Sequence, residues 1–274
     1  MERVAGGFAL AEAPVAAPDG GVYFSDVLGG GVHHWSPGSG EVETVIPKRR
    51  GVGGMALHAD GGLVVSGRDV SHVRGGESRV LFADEEIAGL NDLTVDPDGH
   101  VVVGILRFHP FAGEDPVPGE FIRIGGGAAS TVMPGVEWVN GCGYSPDGAT
   151  FYGCDYRRGL VLAAERRGDG SYAAPSIVIE SPSGEADGMA IDENGGIWVA
   201  LGGRATVARF RPDGTLEQEL EVPADFVASL CFGGSDLRDL FITTTGNPAD
   251  ASAPGGVFKT RSSVAGYPTS LCTT

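Results

Sequence analysis

Apolar residues along the chain come in short runs, each opening just after a polar turn. Pro18-Asp19-Gly20-Gly21 precedes Val22-Tyr23-Phe24, and Ala59-Asp60-Gly61-Gly62 precedes Leu63-Val64-Val65. The pattern returns at Pro97-Asp98-Gly99 before Val101-Val102-Val103, at Pro146-Asp147-Gly148 before Thr150-Phe151-Tyr152, and at Glu193-Asn194-Gly195-Gly196 before Ile197-Trp198-Val199. A degenerate sixth copy, Gly234-Ser235-Asp236, precedes Leu240-Phe241-Ile242. Proline presets φ, aspartate bonds its own backbone and glycine accepts positive φ, so each turn marks a hairpin. Short runs rich in Val, Tyr, Phe and Ile between such turns read as strands. Aligned on the turn glycine, with Asp236 in its place in the last copy, the copies are spaced by 41, 38, 49, 47 and 41 residues. Second hairpins fall between them, as at Val32 to Trp35 with Glu41 to Ile46, and at Val207 to Phe210 with Leu216 to Glu221. Two hairpins per repeat and six repeats predict an all-β, six-bladed β-propeller of four antiparallel strands per blade around a central channel, one domain over residues 1–274. No amphipathic helix of ordinary length is expected.

Composition agrees with a chain that turns often. Of 274 residues, 46 are glycine and 17 proline, yet 42% are apolar and the glycines follow no triplet, which excludes collagen and disorder. With 36 acidic and 19 basic residues the net charge is −17, which argues against nucleic acid or an anionic membrane surface as partner. Four cysteines without a CxxC pair argue against a disulfide framework, and Glu2, Glu12 and Pro14 spoil the one apolar stretch resembling a leader, so a cytoplasmic setting is expected. The six histidines, among them His33, His34, His58, His72 and His100, read as surface or packing residues. No G-x-S-x-G occurs, which disfavours a serine hydrolase.

The strand running into each repeated turn is the one expected to line the channel, so positions at a fixed distance before the turn are equivalent. Eight residues before the turn glycine stand Glu12, Asn91, Asn140 and Asp187, and the other two copies give the small residues Gly53 and Ala228. Each of the four alone also reads as a turn residue or a capped polar group. Their common offset points instead to an oxygen-rich site for one divalent cation, since buried polar groups need partners. Two carboxylates and two amides without histidine or cysteine suit Ca²⁺ foremost, with Mg²⁺, Mn²⁺, Zn²⁺ and Fe²⁺ remaining open.

The chain resembles the senescence-marker-protein, gluconolactonase and luciferin-regenerating-enzyme family over nearly its whole length. The resemblance rests on Ala11-Glu12-Ala13-Pro14, on Leu90-Asn91-Asp92 with Val95-Asp96-Pro97-Asp98-Gly99, and on Val139-Asn140-Gly141 with Tyr144-Ser145-Pro146-Asp147-Gly148. It continues in Asp187-Gly188-Met189-Ala190-Ile191-Asp192 and Cys231-Phe232-Gly233-Gly234, followed by Leu240-Phe241-Ile242-Thr243-Thr244. It implies a six-bladed propeller with one catalytic divalent ion, with Glu12, Asn140 and Asp187 matching the usual metal ligands and Asn91 matching a residue that contacts substrate or metal.

The implied activity is opening of a lactone ring, sugar-acid or other, by metal-activated water with Asp187 as base; phosphotriester hydrolysis at the same site and a non-catalytic calcium-binding propeller are the alternatives. Gly89 stands where sugar lactonases of the family carry an arginine. Arg107 and His109, in the loop from Leu106 to Glu120 with Phe108 and Phe111, are candidates for substrate binding; Trp138 and Tyr156 are similar candidates but read foremost as packing residues. A small lactone is the expected partner, and the chain is expected to be a monomer or weak homo-oligomer.

Overall fold

The computed structural model of the protein describes residues 1–126, 128–246 and 255–274. After a first strand β1 (Glu2–Phe8), the chain forms β2 (Ala11–Ala16), β3 (Val22–Asp26), β4 (Val32–Trp35) and β5 (Val42–Ile46), then β6 (Met55–Leu57), β7 (Leu63–Val65), β8 (Val70–Arg74) and β9 (Glu77–Phe82). The third group is β10 (Gly89–Val95), β11 (Val101–Leu106), β12 (Gly119–Gly125) and β13 (Ala128–Val136), and the fourth is β14 (Val139–Tyr144), β15 (Thr150–Asp155), β16 (Leu160–Glu165) and β17 (Ser176–Glu180). The chain continues through β18 (Met189–Ile191), β19 (Ile197–Ala200), β20 (Thr206–Phe210) and β21 (Leu216–Glu221), and ends with β22 (Val227–Gly233), β23 (Asp239–Thr244) and β24 (Gly255–Arg261). These make six four-stranded antiparallel sheets, the blades of the six-bladed β-propeller that the turn register predicts. Among the described residues the helical content is a single 3-10 turn, Pro110–Ala112.

The last blade takes its fourth strand from the other end of the chain. β1 pairs antiparallel with β24, from Glu2 opposite Lys259 to Phe8 opposite Gly255. No repeated turn marks β1, so the sequence pattern leaves it unassigned.

The chain divides into two compact units of three blades each, residues 1–52 with 187–268, and residues 53–186 with 269–274. In the first, Phe24 and Trp35 pack with Phe241 and Val257, and Trp198 and Val207 pack with Leu230, Leu240 and Phe258. In the second, Val64 and Val70 meet Leu93 and Val103, and Phe121 and Met133 meet Tyr144 and Phe151. Each cluster lies between neighbouring sheets, where faces rich in β-branched and aromatic residues give up apolar surface to one another.

Buried carboxylates fasten the repeated turns. Asp192 accepts the backbone N–H groups of Asn194 and Gly196, each at 2.9 Å, the Trp198 indole at 2.9 Å, and Arg209 Nε of β20 at 2.7 Å. Asp96 does the same one unit away, accepting from Asp98 and His100, each at 2.9 Å, and from Arg123 Nε of β12 at 2.5 Å. Burial alone would raise both carboxyls; the arginine and the backbone donors overcome it and hold both below the usual range. Histidines serve similar ends: His34 reaches Asp19 and Glu43, and His72 stacks on His58 with ring centroids 3.8 Å apart. His33 packs between Phe8 and Phe24, and burial lowers its pKa.

Because both carboxyls titrate below their unfolded values, their contribution is complete above about pH 4 and is lost as pH falls through the depressed native values. Urea titrations from pH 6 down to pH 2.5 are expected to show the midpoint falling only below about pH 4. Asp192→Ala is expected to cost about 3 kcal/mol at pH 7, because it leaves Arg209 Nε, the Trp198 indole and the turn amides without their acceptor, whereas the exposed turn variant Asp213→Ala leaves the midpoint unchanged.

Candidate functional site

The structure fixes the repeat register independently of sequence alignment. In five copies the turn glycine has positive φ, between 69° and 88°, and donates its N–H to the carbonyl three residues back. The first strand ends four residues before that glycine and the second begins two after it. In the sixth copy the residue meeting all these conditions is Leu237, with φ 53° and its N–H on the Gly234 carbonyl, not Asp236. The equivalent position in the last blade is therefore Ser229, and the expectation of Ala228 is corrected by one residue. Five of the six equivalent positions carry an oxygen: Glu12, Asn91, Asn140, Asp187 and Ser229, with Gly53 the exception. A non-glycine residue in a left-handed turn conformation hid the fifth. The apolar run at Leu240 gives no better guide, because the strand itself opens one residue earlier, at Asp239.

These residues stand where the first strand breaks step. In β2 the pairing slips between Glu12 opposite Ser25 and Val15 opposite Tyr23; in β10 it slips between Leu90 opposite Ile105 and Leu93 opposite Val103. The same happens in β14 between Val139 and Cys142, and in β22 between Val227 and Ser229. Ahead of β18, Asp187 N–H donates to the Ala200 carbonyl at 3.0 Å while Ala200 N–H donates to Gly188 at 2.9 Å. In all five the first strand carries one residue more than its partner, a bulge that suspends strict side-chain alternation and re-aims the extra residue.

Within the first unit, Glu12, Asp187 and Ser229 are 8%, 5% and 4% exposed. Glu12 Oε2 accepts the Ala13 N–H at 2.6 Å, and Ala13 itself takes a left-handed φ of 50°. A side chain at Gly188 would collide with Ser229 Oγ. Within the second unit, Asn140 is buried and Asn91 donates through Nδ2 to the Val139 carbonyl at 2.8 Å. That bond assigns the amide and turns Oδ1 toward Gly53, where any side chain would meet it. The first unit thus offers two carboxylates and a hydroxyl at this position and the second two amide oxygens, all of them hard oxygen donors. Asp92, beside Asn91, was not singled out by sequence. Burial pushes its carboxyl up to about 7 against the pull of the Leu93 N–H, and burial, with Asp92 nearby, raises the Cys142 thiol.

The loop after β11 is placed differently from the sequence expectation in part. Arg107 pairs with Glu120 at 2.7 Å, whose other oxygen takes the Thr131 hydroxyl. His109 is exposed, and its backbone N–H is accepted by Glu114 at 2.7 Å. Phe111 points outward, 69% exposed, whereas Phe108 is buried edge-on against Trp138, with centroids 5.3 Å apart at 90°. Trp138 meets Tyr156 in turn, 4.8 Å apart at 61°, and the Tyr156 hydroxyl donates to Glu185 at 3.2 Å.

A second acidic group lies elsewhere. Asp96, Asp98 and His100 have ligand atoms within 4.8 Å of one another, the spacing a metal ion needs. Arg123 already reaches all three residues, at 2.5, 3.4 and 2.6 Å, and Arg166 also pairs with Asp98. Two guanidinium charges there oppose a cation, so this group acts as a clamped turn.

The SMP-30/Gluconolactonase/LRE-like region model matches residues 10–246. The chain belongs to the SMP-30/gluconolactonase/LRE-like family. Within this family it is 31% identical over 262 residues to Pentonolactonase XacC of Haloferax volcanii, covering 90% of this chain and 85% of that one. It is 30% identical over 275 residues to 6-deoxy-6-sulfogluconolactonase of Pseudomonas putida, covering 94% and 92%. Among solved structures, a luciferin-regenerating enzyme superposes with a TM-score of 0.88 at 22% identity, covering 100% of this chain and 99% of that one, which shows the shared fold.

If Gly53 is glycine to admit the Asn91 amide, Gly53→Ala is expected to cost about 2 kcal/mol in urea titration. Gly168→Ala, where a side chain meets open space, leaves the midpoint unchanged.

Proposed function

We propose that the protein is a divalent-metal-dependent lactonase acting on small sugar-acid lactones. The observation carrying this reading is the bulge register: Glu12, Asn91, Asn140 and Asp187 occupy one repeat position, and all four are oxygen donors of the kind a hard cation takes. Family membership adds to it, since relatives 30% and 31% identical are named as lactonases of sugar acids.

In this reading Glu12, Asn140 and Asp187 hold the ion and Asn91 holds it or the substrate, with Ca²⁺ first among the candidates. Bound there, a divalent cation supplies Lewis acidity toward the lactone carbonyl and makes a water easier to deprotonate. Asp187 accepts the proton of the attacking water and returns it to the ring oxygen as the C–O bond breaks. Glu12 is held in place by the Ala13 N–H. Asn91 and Asn140 add oxygen donors without adding charge, so the site keeps its affinity for electron-rich carbonyl oxygen.

Chelation is expected to abolish hydrolysis of D-glucono-δ-lactone and D-xylono-γ-lactone, and restoring Ca²⁺, Mg²⁺, Mn²⁺, Zn²⁺ or Fe²⁺ singly identifies the ion that recovers it. Asp187→Ala is expected to lower kcat at least a hundredfold while its circular dichroism stays that of the wild type. Lactone hydrolysis that survives chelation, or turnover confined to organophosphate esters, would overturn this reading.

A further inference from the structure

Trp138 is an aromatic residue that the fold braces without burying. Two rings meet it at steep angles, Phe108 at 90° and Tyr156 at 61°. Such contacts fix the plane of an aromatic ring. Phe108 is itself buried, and Tyr156 is tied by its N–H to the Trp138 carbonyl at 2.9 Å and by its hydroxyl to Glu185. The indole is half-exposed and its N–H donates to none of the described residues. The other two tryptophans differ: Trp35 and Trp198 are buried, and the Trp198 N–H is spent on Asp192.

Position ties this ring to the proposed site. Trp138 lies two residues before Asn140, and the carbonyl between them, on Val139, is the acceptor for the Asn91 amide. Asn140 and the indole thus share one short backbone segment, and the Asn91 amide is hydrogen-bonded to it from β10 of the same unit. A half-exposed plane with a free donor at its rim matches a polyhydroxylated ring, which offers C–H groups on its face and hydroxyl oxygens at its edge. An unsubstituted lactone keeps the apolar contact but brings no hydroxyl to the N–H.

We propose that Trp138 is a specificity-determining residue that stacks against the substrate ring and donates its indole N–H to a substrate hydroxyl, selecting polyhydroxylated lactones over plain ones. The inference rests on the lactonase reading, and a two-substrate comparison separates the two. Trp138→Phe keeps an aromatic plane and removes the donor. In the metal-loaded full chain it is expected to raise KM for D-glucono-δ-lactone about fivefold, the worth of one neutral hydrogen bond, and to leave kcat/KM for δ-valerolactone within about twofold of wild type.

A binding readout stands beside the kinetics. The non-hydrolysable D-gluconolactam is expected to change the intrinsic tryptophan fluorescence of the wild type. The change should vanish in Trp138→Phe, which retains Trp35 and Trp198 as internal references. Unchanged preference between the two lactones, or a lactam-induced signal that persists in Trp138→Phe, overturns the assignment while leaving the lactonase reading intact. Failure of the wild type to hydrolyse either lactone overturns the lactonase reading, and the fluorescence titration then decides the subsite by itself.

Discussion

One extra residue in the first strand of a blade is the constraint on which the candidate site depends. In a regular strand, side chains alternate between the two faces, and both faces here are committed to packing against neighbouring sheets. A carboxylate or amide placed in such a strand would have to displace a core residue. The bulge removes that conflict at one point, placing Asn91 and Asn140 inside the slip and Glu12 and Ser229 at its edge, while Val15, Leu93, Cys142 and Leu230 remain in step beyond it. The small neighbours Gly53 and Gly188 complete the arrangement by giving room to Asn91 and Ser229.

A bulge is only as well placed as the turn that anchors the strand behind it. The Asp96 and Asp192 carboxylates, each gathering backbone N–H groups and one arginine from the third strand, fix that turn in a blade of each unit. This gives the acidic composition a structural meaning beyond solubility. Part of the negative charge is held at turn corners, and Arg123, Arg209 and Arg261 are engaged there rather than offered to a polyanion. The Asp96, Asp98 and His100 group illustrates the difference between acids that are near one another and acids that await a cation.

Much of the fold was legible because the hairpin turns are chemically explicit. The runs beginning at Val22, Leu63, Val101, Thr150 and Ile197 open the second strand of their blades, as the turn residues predict. What escaped was whatever lacks a local signal. β1 has no turn of its own kind and is defined only by pairing with β24, some 250 residues away. Leu237 adopts a conformation that sequence assigns to glycine, and this displaced the last register by one and concealed Ser229. The four polar residues were found by counting, yet the bulge that gives the count its meaning is a property of paired strands and appears in no single one. The aromatic contacts of Trp138 join three separate segments, and sequence alone offered them as packing.

The most direct test of the account is the metal content of the purified full-length chain, measured by mass spectrometry after dialysis. The account predicts about one divalent ion per chain in the wild type and in a variant carrying Asp98→Ala with His100→Ala, and almost none in a variant carrying Glu12→Gln with Asp187→Asn. Retention of the ion in the latter, or its loss in the former, would contradict it.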